Sequence, residues 1–454
     1  MELNIELNFL KKILITISVL LSILFLNKIV NNIIPNPEPE PEPEPRIEGI
    51  LIYTFNDSSL TSLNNTRTDQ DYIDNIPLIT GGDTLKFTPT ITKKETLVQM
   101  EINTSYLIDY SEETNFGVSF NKVNNFYNSD NISNLTIIKI NNCPLSRVGN
   151  QFSELKDITI ISNIIPDILP NTSLINCFKN SMNFDSNIGI WNMDNVINTS
   201  FMFSSALNYN QPIKNWNTKN ITDMSYMFFN TKLFNQNINT WDTSNVKNMI
   251  GMFEDSNYNN ELNKWETKSV TDMFYMFYNA KNFNKNINTW NTSNVKNMAG
   301  MFSNSNFDND ISSWNTKEVT DMTAMFLNAK NFNQNINNWN TSKVKNMRNM
   351  FTNTESFNQN IGDWNTEEVT DMTAMFLNAN VFNKNIGKWN TKNVTNISEI
   401  FSSAVKFNND NNTINWNLPN LINYNEWRLD SLVTNSLINV TPLTAYNNLI
   451  NDPA

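Results

Sequence analysis

The sequence predicts an α/β repeat solenoid, in which each coil has a parallel strand and a short helical turn, preceded by an N-terminal membrane helix and a small β-rich domain. Three observations lead to this prediction. Tryptophan recurs every 24 or 25 residues over nearly half of the chain, two earlier segments alternate leucine and isoleucine, and an apolar run near the N-terminus leads into alternating proline and glutamate. With 454 residues the chain is long enough for about three average domains.

The apolar run follows Lys11 and Lys12 and extends from Ile13 to Ile34. It reaches the length of a membrane-spanning helix and no small-residue cleavage site follows it, so the sequence predicts an uncleaved signal anchor over 1–34. The two lysines place the N-terminus in the cytoplasm, which predicts a single-pass membrane protein with the bulk of the chain extracellular and surface-exposed. Cleavage after the run would instead give a secreted protein.

Two regions separate this anchor from the repeats. The alternating Pro-Glu run within 35–46 predicts a stiff polyproline II stalk, because proline fixes φ and the carboxylates repel one another. From 47 to 130, short alternations of Thr, Ile, Tyr and Phe predict a β-rich domain. Its acidic residues, such as Asp69 and Asp71, lack the glycine turn of a calcium loop, so we expect no metal site there.

The segment 131–171 matches the pattern L-x-x-L-x-L-x-x-N/C-x-L twice, from Leu135 to Leu145 and from Leu155 to Ile165. This is the leucine-rich repeat pattern, whose alternating positions form a short strand. We expect these two repeats to form the N-terminal cap of the solenoid. Cys143 and Cys177 could pair, although the sequence does not show that they meet.

The region 172–407 is a tandem array whose units read approximately W-[NDE]-T-[SK]-x-V-x-[ND]-M-x-x-M-F-x-x-[AST]-x-x-F-N-x-N-I. Within one unit, Val295, Met298 and Phe302 are spaced as on one stripe of a short helix, and the stretch from Phe307 to Ile311 is expected to return as a strand. The sequence therefore predicts a leucine-rich-repeat-like coil with one continuous parallel sheet. A three-sided parallel β-helix is the alternative at this period.

Units this short cannot bury their own apolar faces, so neighbouring units must stack. The segment 408–454, in which the period is lost, is expected to be a C-terminal cap. We expect the aromatic rows to pack in the core rather than to form an exposed ladder for sugar rings, because they recur beside other apolar positions. The predicted repeat-core residues are Trp191, Trp216, Trp241, Trp265, Trp290, Trp314, Trp339, Trp364, Trp389, Phe203, Phe228, Phe253, Phe277, Phe302, Phe326, Phe351 and Phe376.

The residue before the first methionine of each unit alternates between aspartate and asparagine, which gives the array a period of two units. A turn-capping role is expected for these residues, in preference to a cation-binding edge. The alternating residues are Asp223, Asn248, Asp272, Asn297, Asp321, Asn346 and Asp371.

The composition of the chain excludes several classes of function. The chain has no histidine, which excludes Ser-His-Asp and Cys-His catalysis and imidazole metal sites, and its net charge of −12 argues against nucleic acid as a partner. Departures from the repeat consensus, such as Glu254, Glu261 and Arg348, are isolated and do not mark a catalytic coil. The sequence thus predicts no enzyme, no cofactor and no catalytic or metal-binding residue.

The W-[ND]-T-[SK]-x-V-x-[ND]-M-x-x-M-F repeat resembles that of the BspA-like leucine-rich repeat surface proteins, which include many mycoplasma lipoproteins. The resemblance covers about 172 to 410. It implies a non-enzymatic surface protein for adhesion or protein–protein interaction, with a protein or glycan ligand on a host or neighbouring cell. The chain lacks a lipobox cysteine, so the lipoprotein mode of attachment does not carry over. A structural cell-surface or virion-surface coat protein and, less favoured, a carbohydrate-active β-helix are the alternatives.

Overall fold

The computed structural model describes residues 46–57, 78–80, 85–94, 97–107, 117–119, 132–141, 144–161, 163–434 and 439–441, with positions 444, 445, 447 and 449. The chain divides into two compact units, Met1–Ile47 and Glu48–Ala454. The second unit contains the repeats and is the one described below.

The strands before the array are β1 (Arg46–Asp57), β2 (Leu78–Thr80), β3 (Leu85–Lys94), β4 (Leu97–Leu107), β5 (Gly117–Ser119), β6 (Ile132–Asn141) and β7 (Ile158–Ile160). One five-stranded sheet has the order β3-β4-β1-β6-β7, and β2 pairs separately with β5. The β1–β6 pair is antiparallel, whereas β6 and β7 run parallel with Leu135 opposite Ile158. β6 is thus the strand at which antiparallel pairing gives way to the parallel stacking of the coils.

Within the array, parallel pairing is reduced to a ladder one residue wide. After β8 (Thr172–Ser173) and β9 (Val196–Asn198), consecutive coils join through single bridges that run from Asn198 to Asp223, on to Asn248 and so to Asn423. We call the residue that forms the bridge the bridge residue, and the nine residues that begin with it the turn segment. In one coil the turn segment is 248–256.

The backbone of the turn segment alternates between two kinds of hydrogen bond. Met249, Gly251, Phe253 and Asp255 donate their N–H groups to carbonyls of the next coil, at 2.8–3.2 Å. Met252 and Glu254, which lie between these donors, donate to the carbonyls of Met249 and Gly251, three positions earlier in the same coil. The N–H of Ile250 donates to Asn248 Oδ1. The fourth and eighth residues, Gly251 and Asp255, have φ of 54° and 57°. The segment is therefore a chain of tight turns bonded to its neighbour as a strand would be.

This geometry corrects the predicted α/β fold class. The described residues of the array contain no α-helix, and a 3₁₀ turn follows the array at Asn409–Asn411. The spacing of Val295, Met298 and Phe302 arises from successive turns, since alternate N–H groups are committed to the next coil and a positive φ every fourth residue is incompatible with a right-handed helix. Short apolar spacings of three cannot distinguish these two conformations.

The expected return strand is also absent. The stretch from Phe307 to Ile311 forms no strand ladder, because side-chain oxygens of asparagine or aspartate take the place of the backbone acceptors. The N–H of Asp308, for example, donates to Asn284 Oδ1 at 3.0 Å. The same contact repeats between successive coils from Asp185 to Asn408. With one bridge per coil, the three-sheeted β-helix does not describe the array either.

The membrane prediction is corrected as well. The segment from Ile13 to Ile34 and nearly all of the stalk lie outside the described residues. In the part of the chain that the structure describes, no helix has the length and apolar character needed to cross a bilayer. The prediction of a signal anchor and a single-pass membrane location rested on hydropathy and length, which measure apolar character and not helix formation.

Candidate functional site

The predicted repeat-core aromatics all lie inside the solenoid. The nine tryptophans are 2–4% exposed and the eight phenylalanines are 0% exposed. The rings of Trp290 and Trp314 stack with centroids 6.3 Å apart and 1° between planes, and Trp290 Nε1 donates to the carbonyl of Leu262 at 2.9 Å. These rings have no free face on which a sugar could stack.

The alternating bridge residues form Asx turns. Asp223 Oδ1 accepts the N–H of Ser225 at 2.8 Å, and Asn248 Oδ1 accepts that of Ile250 at 3.1 Å. Asn248 Nδ2 also donates to Asp223 Oδ2 at 3.3 Å. Alternation thus separates the carboxylates by a neutral donor, which limits their repulsion. Burial raises the pKa of Asp272 above its usual range, although hydrogen bonds from Phe274 and Asn297 lower it in part.

No cation site arises from these carboxylates. Among the described residues no group of three or more Asp, Glu, Cys or His side chains is arranged to hold a metal ion. Cys177 is a free thiol buried in the core, and burial raises its pKa well above the ordinary value. Cys143 lies outside the described residues.

The surface of the turn segments differs along the array. The third, fourth and seventh residues of the turn segments do not belong to the hydrophobic core cluster, and in the early coils many of them are aromatic. We call the half-buried side chains at these positions the aromatic face, and it consists of Phe201, Tyr226, Phe229, Phe274, Tyr275 and Tyr278. At the same positions the coils of Asn297, Asp321, Asn346 and Asp371 have no aromatic residue.

The rings of the aromatic face pack on one another. Phe201 stacks on Tyr226 of the next coil with centroids 4.7 Å apart, and Phe229 meets Tyr226 edge-on at 6.1 Å. Two coils further on, Tyr275 stacks against Phe274 at 3.9 Å and Tyr278 at 4.7 Å. From Phe201 to Tyr275 the face crosses three coil steps, about 14 Å at the usual strand spacing.

Two glycines make room for the tyrosines. A Cβ atom on Gly251 would lie 2.2 Å from Tyr226 Cε1, and one on Gly300 would lie 2.0 Å from Tyr275 Cε1. Each tyrosine ring therefore lies over a glycine of the following coil. Later coils replace this tyrosine and glycine pair with alanine and asparagine, as at Ala324 and Asn349, which keep the positive φ.

A carboxylate lies between the two tyrosines. Glu254 Oε2 would be 2.9 Å from the same Cβ position on Gly251, so it converges with Tyr226 on one point. That oxygen is buried and has no hydrogen-bond partner among the described residues. Burial, followed by the charge of Asp255, raises the pKa of Glu254 to about 7. Burial is also the main cause of the raised pKa values of Tyr226 and Tyr275, and Glu254 contributes to both.

The sequence contained a signal for this face. The aromatic residues occupy variable positions in and next to Met-x-x-Met-Phe, and Glu254 at such a position is one of the departures from the repeat consensus. Aligning the variable positions by coil would have shown aromatic side chains confined to one part of an otherwise uniform array. The juxtaposition of Glu254 with Tyr226 and Tyr275 could not be read from the sequence, because it depends on how successive turn segments stack.

A family model described as "Mycoplasma protein of unknown function, DUF285" matches the chain over residues 152–261, 251–348 and 332–439. These overlapping matches cover the array and extend into the segment expected to cap it. No curated protein and no solved structure matches the chain.

Proposed function

The chain belongs to the DUF285 family of mycoplasma proteins of unknown function, and on that premise we propose that it is a non-enzymatic binding protein whose aromatic face contacts a protein or glycan ligand. The observation that carries the proposal is the confinement of the aromatic face to the coils between Asn198 and Asn279. Core and turn geometry repeat along the array and do not require these rings, since later coils form the same turns without them.

Aromatic side chains at a protein surface contribute large contact area at low entropic cost and are enriched at binding hot spots. Here they are held in place by mutual stacking and by the glycines beneath them, so little ordering is needed on binding. The resemblance of the repeat to BspA-like proteins agrees with a role in interaction. The absence of histidine from the sequence agrees with a protein that performs no acid–base catalysis near neutral pH.

A test uses the full chain with Tyr226→Ala, Phe274→Thr, Tyr275→Ala and Tyr278→Ser combined. Each replacement is a residue that later coils hold at the same position, for example Ala324, Thr323 and Ser303, so the turns should form. Wild type and variant are compared on arrays of purified glycans and proteins. We expect a ligand whose affinity falls at least about tenfold in the variant, equivalent to about 1.4 kcal/mol.

The matched control is Leu327→Ser with Leu377→Ser, which removes apolar side chains from the same position in later coils. This control should bind every ligand as the wild type does. The proposal fails if every ligand found binds the aromatic variant and the wild type equally, or if the arrays contain no ligand at all.

A further inference from the structure

Glu254 occupies an unusual place for a carboxylate, since its Oε2 and the Tyr226 ring converge over Gly251. Its coil lies between those of Tyr226 and Tyr275. Burying a carboxylate costs free energy unless a cation or several donors compensate it. Glu254 Oε2 has no such donor among the described residues. Lys232, the nearby lysine, donates instead to the backbone carbonyl of Asp255 at 2.5 Å. The carboxylate is thus partly desolvated and uncompensated.

An earlier coil has a cation at the position equivalent to Glu254. The seventh residue of an earlier turn segment is Lys179, and its Nζ lies 5.4 Å from the ring centroid of Phe201, in the next coil. Glu254 is the seventh residue of its own turn segment, and Tyr275 holds in the next coil the position that Phe201 holds relative to Lys179. Where Lys179 brings a cation to the ring, Glu254 brings a negative charge beside two rings.

Taking the aromatic face as the binding surface proposed above, we infer that the Tyr226–Glu254–Tyr275 cluster binds a lysine side chain of a partner protein. The carboxylate can pair with an ammonium group, and the rings beside it can contact the methylene groups of the same side chain. The net charge of −12 favours a basic partner over the whole surface as well.

A sugar fits this cluster less well. Stacking on a pyranose ring needs a free aromatic face, and the rings of the aromatic face are stacked on Phe201, Phe274 or Tyr278, or lie over glycine. A lysine side chain needs no free ring face, since its ammonium group pairs with the carboxylate while its methylene groups lie along the rings. The expected partner therefore presents a lysine in an exposed, extended segment.

The experiment measures binding to the full chain of a fluorescent Gly-Ser peptide that carries three lysines, with norleucine and acetyl-lysine peptides of the same length beside it. We expect the lysine peptide to bind and both neutral peptides to bind at least about tenfold more weakly. Glu254→Gln and the double variant Tyr226→Ala, Tyr275→Ala should each weaken lysine-peptide binding by about tenfold.

The control is Glu368→Gln, which removes the same charge from an exposed position in a later coil and should leave binding of the lysine peptide unchanged. Equal losses in Glu254→Gln and Glu368→Gln would mean non-specific attraction to an acidic protein and would overturn the inference. Equal binding of the norleucine peptide would mean apolar docking and would also overturn it. Should the lysine peptide fail to bind while an array ligand still depends on the aromatic face, the binding function stands and the lysine assignment is wrong.

Discussion

The coils from Asn198 to Asn279 and the coils from Asn297 to Asn378 are built on the same interior but differ on their outer surface. In both regions the repeat-core tryptophans and phenylalanines are buried, and backbone N–H groups of the turn segments donate to carbonyls of the next coil. In both, side-chain oxygens of asparagine or aspartate accept hydrogen bonds from other backbone N–H groups of the next coil. The two regions differ in aromatic content at the third, fourth and seventh residues of the turn segments. These positions carry the aromatic face in the first region and mostly small or aliphatic residues in the second.

The difference shows which positions the structure of the coil constrains and which positions can vary. The interior positions are fixed because each ring contacts its equivalents on both sides, so a change in one coil affects three. The outer positions have no such constraint, and the array tolerates tyrosine, glycine, alanine, asparagine and glutamate at one positive-φ position. A functional surface can therefore change from coil to coil while the stack is preserved.

The largest expected effect is the loss of stability when a buried ring is removed from the interior that the two regions share. Phe277→Ala in the first region and Phe326→Ala in the second should each lower the free energy of unfolding by about 3–5 kcal/mol, because each removes a fully buried ring. Both rings stack on a partner in their own coil, at 3.9 Å for Phe283 and 3.8 Å for Phe332. Urea denaturation of the full chain measures both losses. If only one of the two substitutions were costly, the interiors would not be equivalent.

The next effect concerns the alternating bridge residues. Asn248→Asp would place a carboxylate between Asp223 and Asp272 and would abolish the donor to Asp223, at a cost of about 1 kcal/mol. Asn346→Asp places a carboxylate between Asp321 and Asp371 in the second region. It should cost less because, among the described residues, Asn346 donates no hydrogen bond to Asp321 that would be lost. Urea denaturation measures both costs.

The repulsion should diminish in high salt and at pH values low enough to protonate the carboxylates. The reverse substitution, Asp272→Asn, is the control and should change stability little, since asparagine accepts the same Asx-turn hydrogen bond at position 248. Equal stability of Asn248→Asp and wild type at low salt and neutral pH would contradict the role given to the alternation.

The repeat period and the positions of the interior residues could be predicted from the sequence, because both follow from regular spacing. The backbone conformation of the repeat could not be predicted in this way. The segment containing Met298 and Phe302 has the apolar spacing of a helix, but inter-coil hydrogen bonds, which no single repeat encodes, convert it into turns. Likewise, the high asparagine content did not predict that the side-chain oxygen of Asn284 would accept a backbone hydrogen bond where strand pairing was expected. For the candidate site, residue types at variable positions were readable, whereas the proximity of Glu254 to two tyrosines required the stack.

A smaller effect tests the fit between Tyr226 and Gly251. Gly251→Ala should cost about 1 kcal/mol, because the added methyl group would meet the tyrosine ring at 2.2 Å and alanine is less favourable than glycine at positive φ. Part of that cost should vanish in a Tyr226→Ala background, in which no ring covers the position. A double-mutant cycle from urea denaturation gives the coupling. Additive costs would show that the ring moves aside freely and that the glycine is not needed for it.

The smallest effect is a difference in pH dependence between Glu254 and Glu318, one in each region. The pKa of Glu254 is raised to about 7 from 4.5, so the folded chain holds its proton more tightly than the unfolded chain, and its contribution to stability falls as pH rises from 4.5 to 7. The hydrogen bond and charge of Lys343 lower the pKa of Glu318, so its contribution is present at neutral pH and is lost as pH falls through that lowered pKa.

The melting temperature of wild type minus that of Glu254→Gln should therefore decrease from pH 5 to pH 8. The difference for Glu318→Gln should change in the opposite direction at lower pH. Parallel curves for the two variants would mean that Glu254 is solvated like an ordinary surface carboxylate and would remove the electrostatic distinction between the two regions.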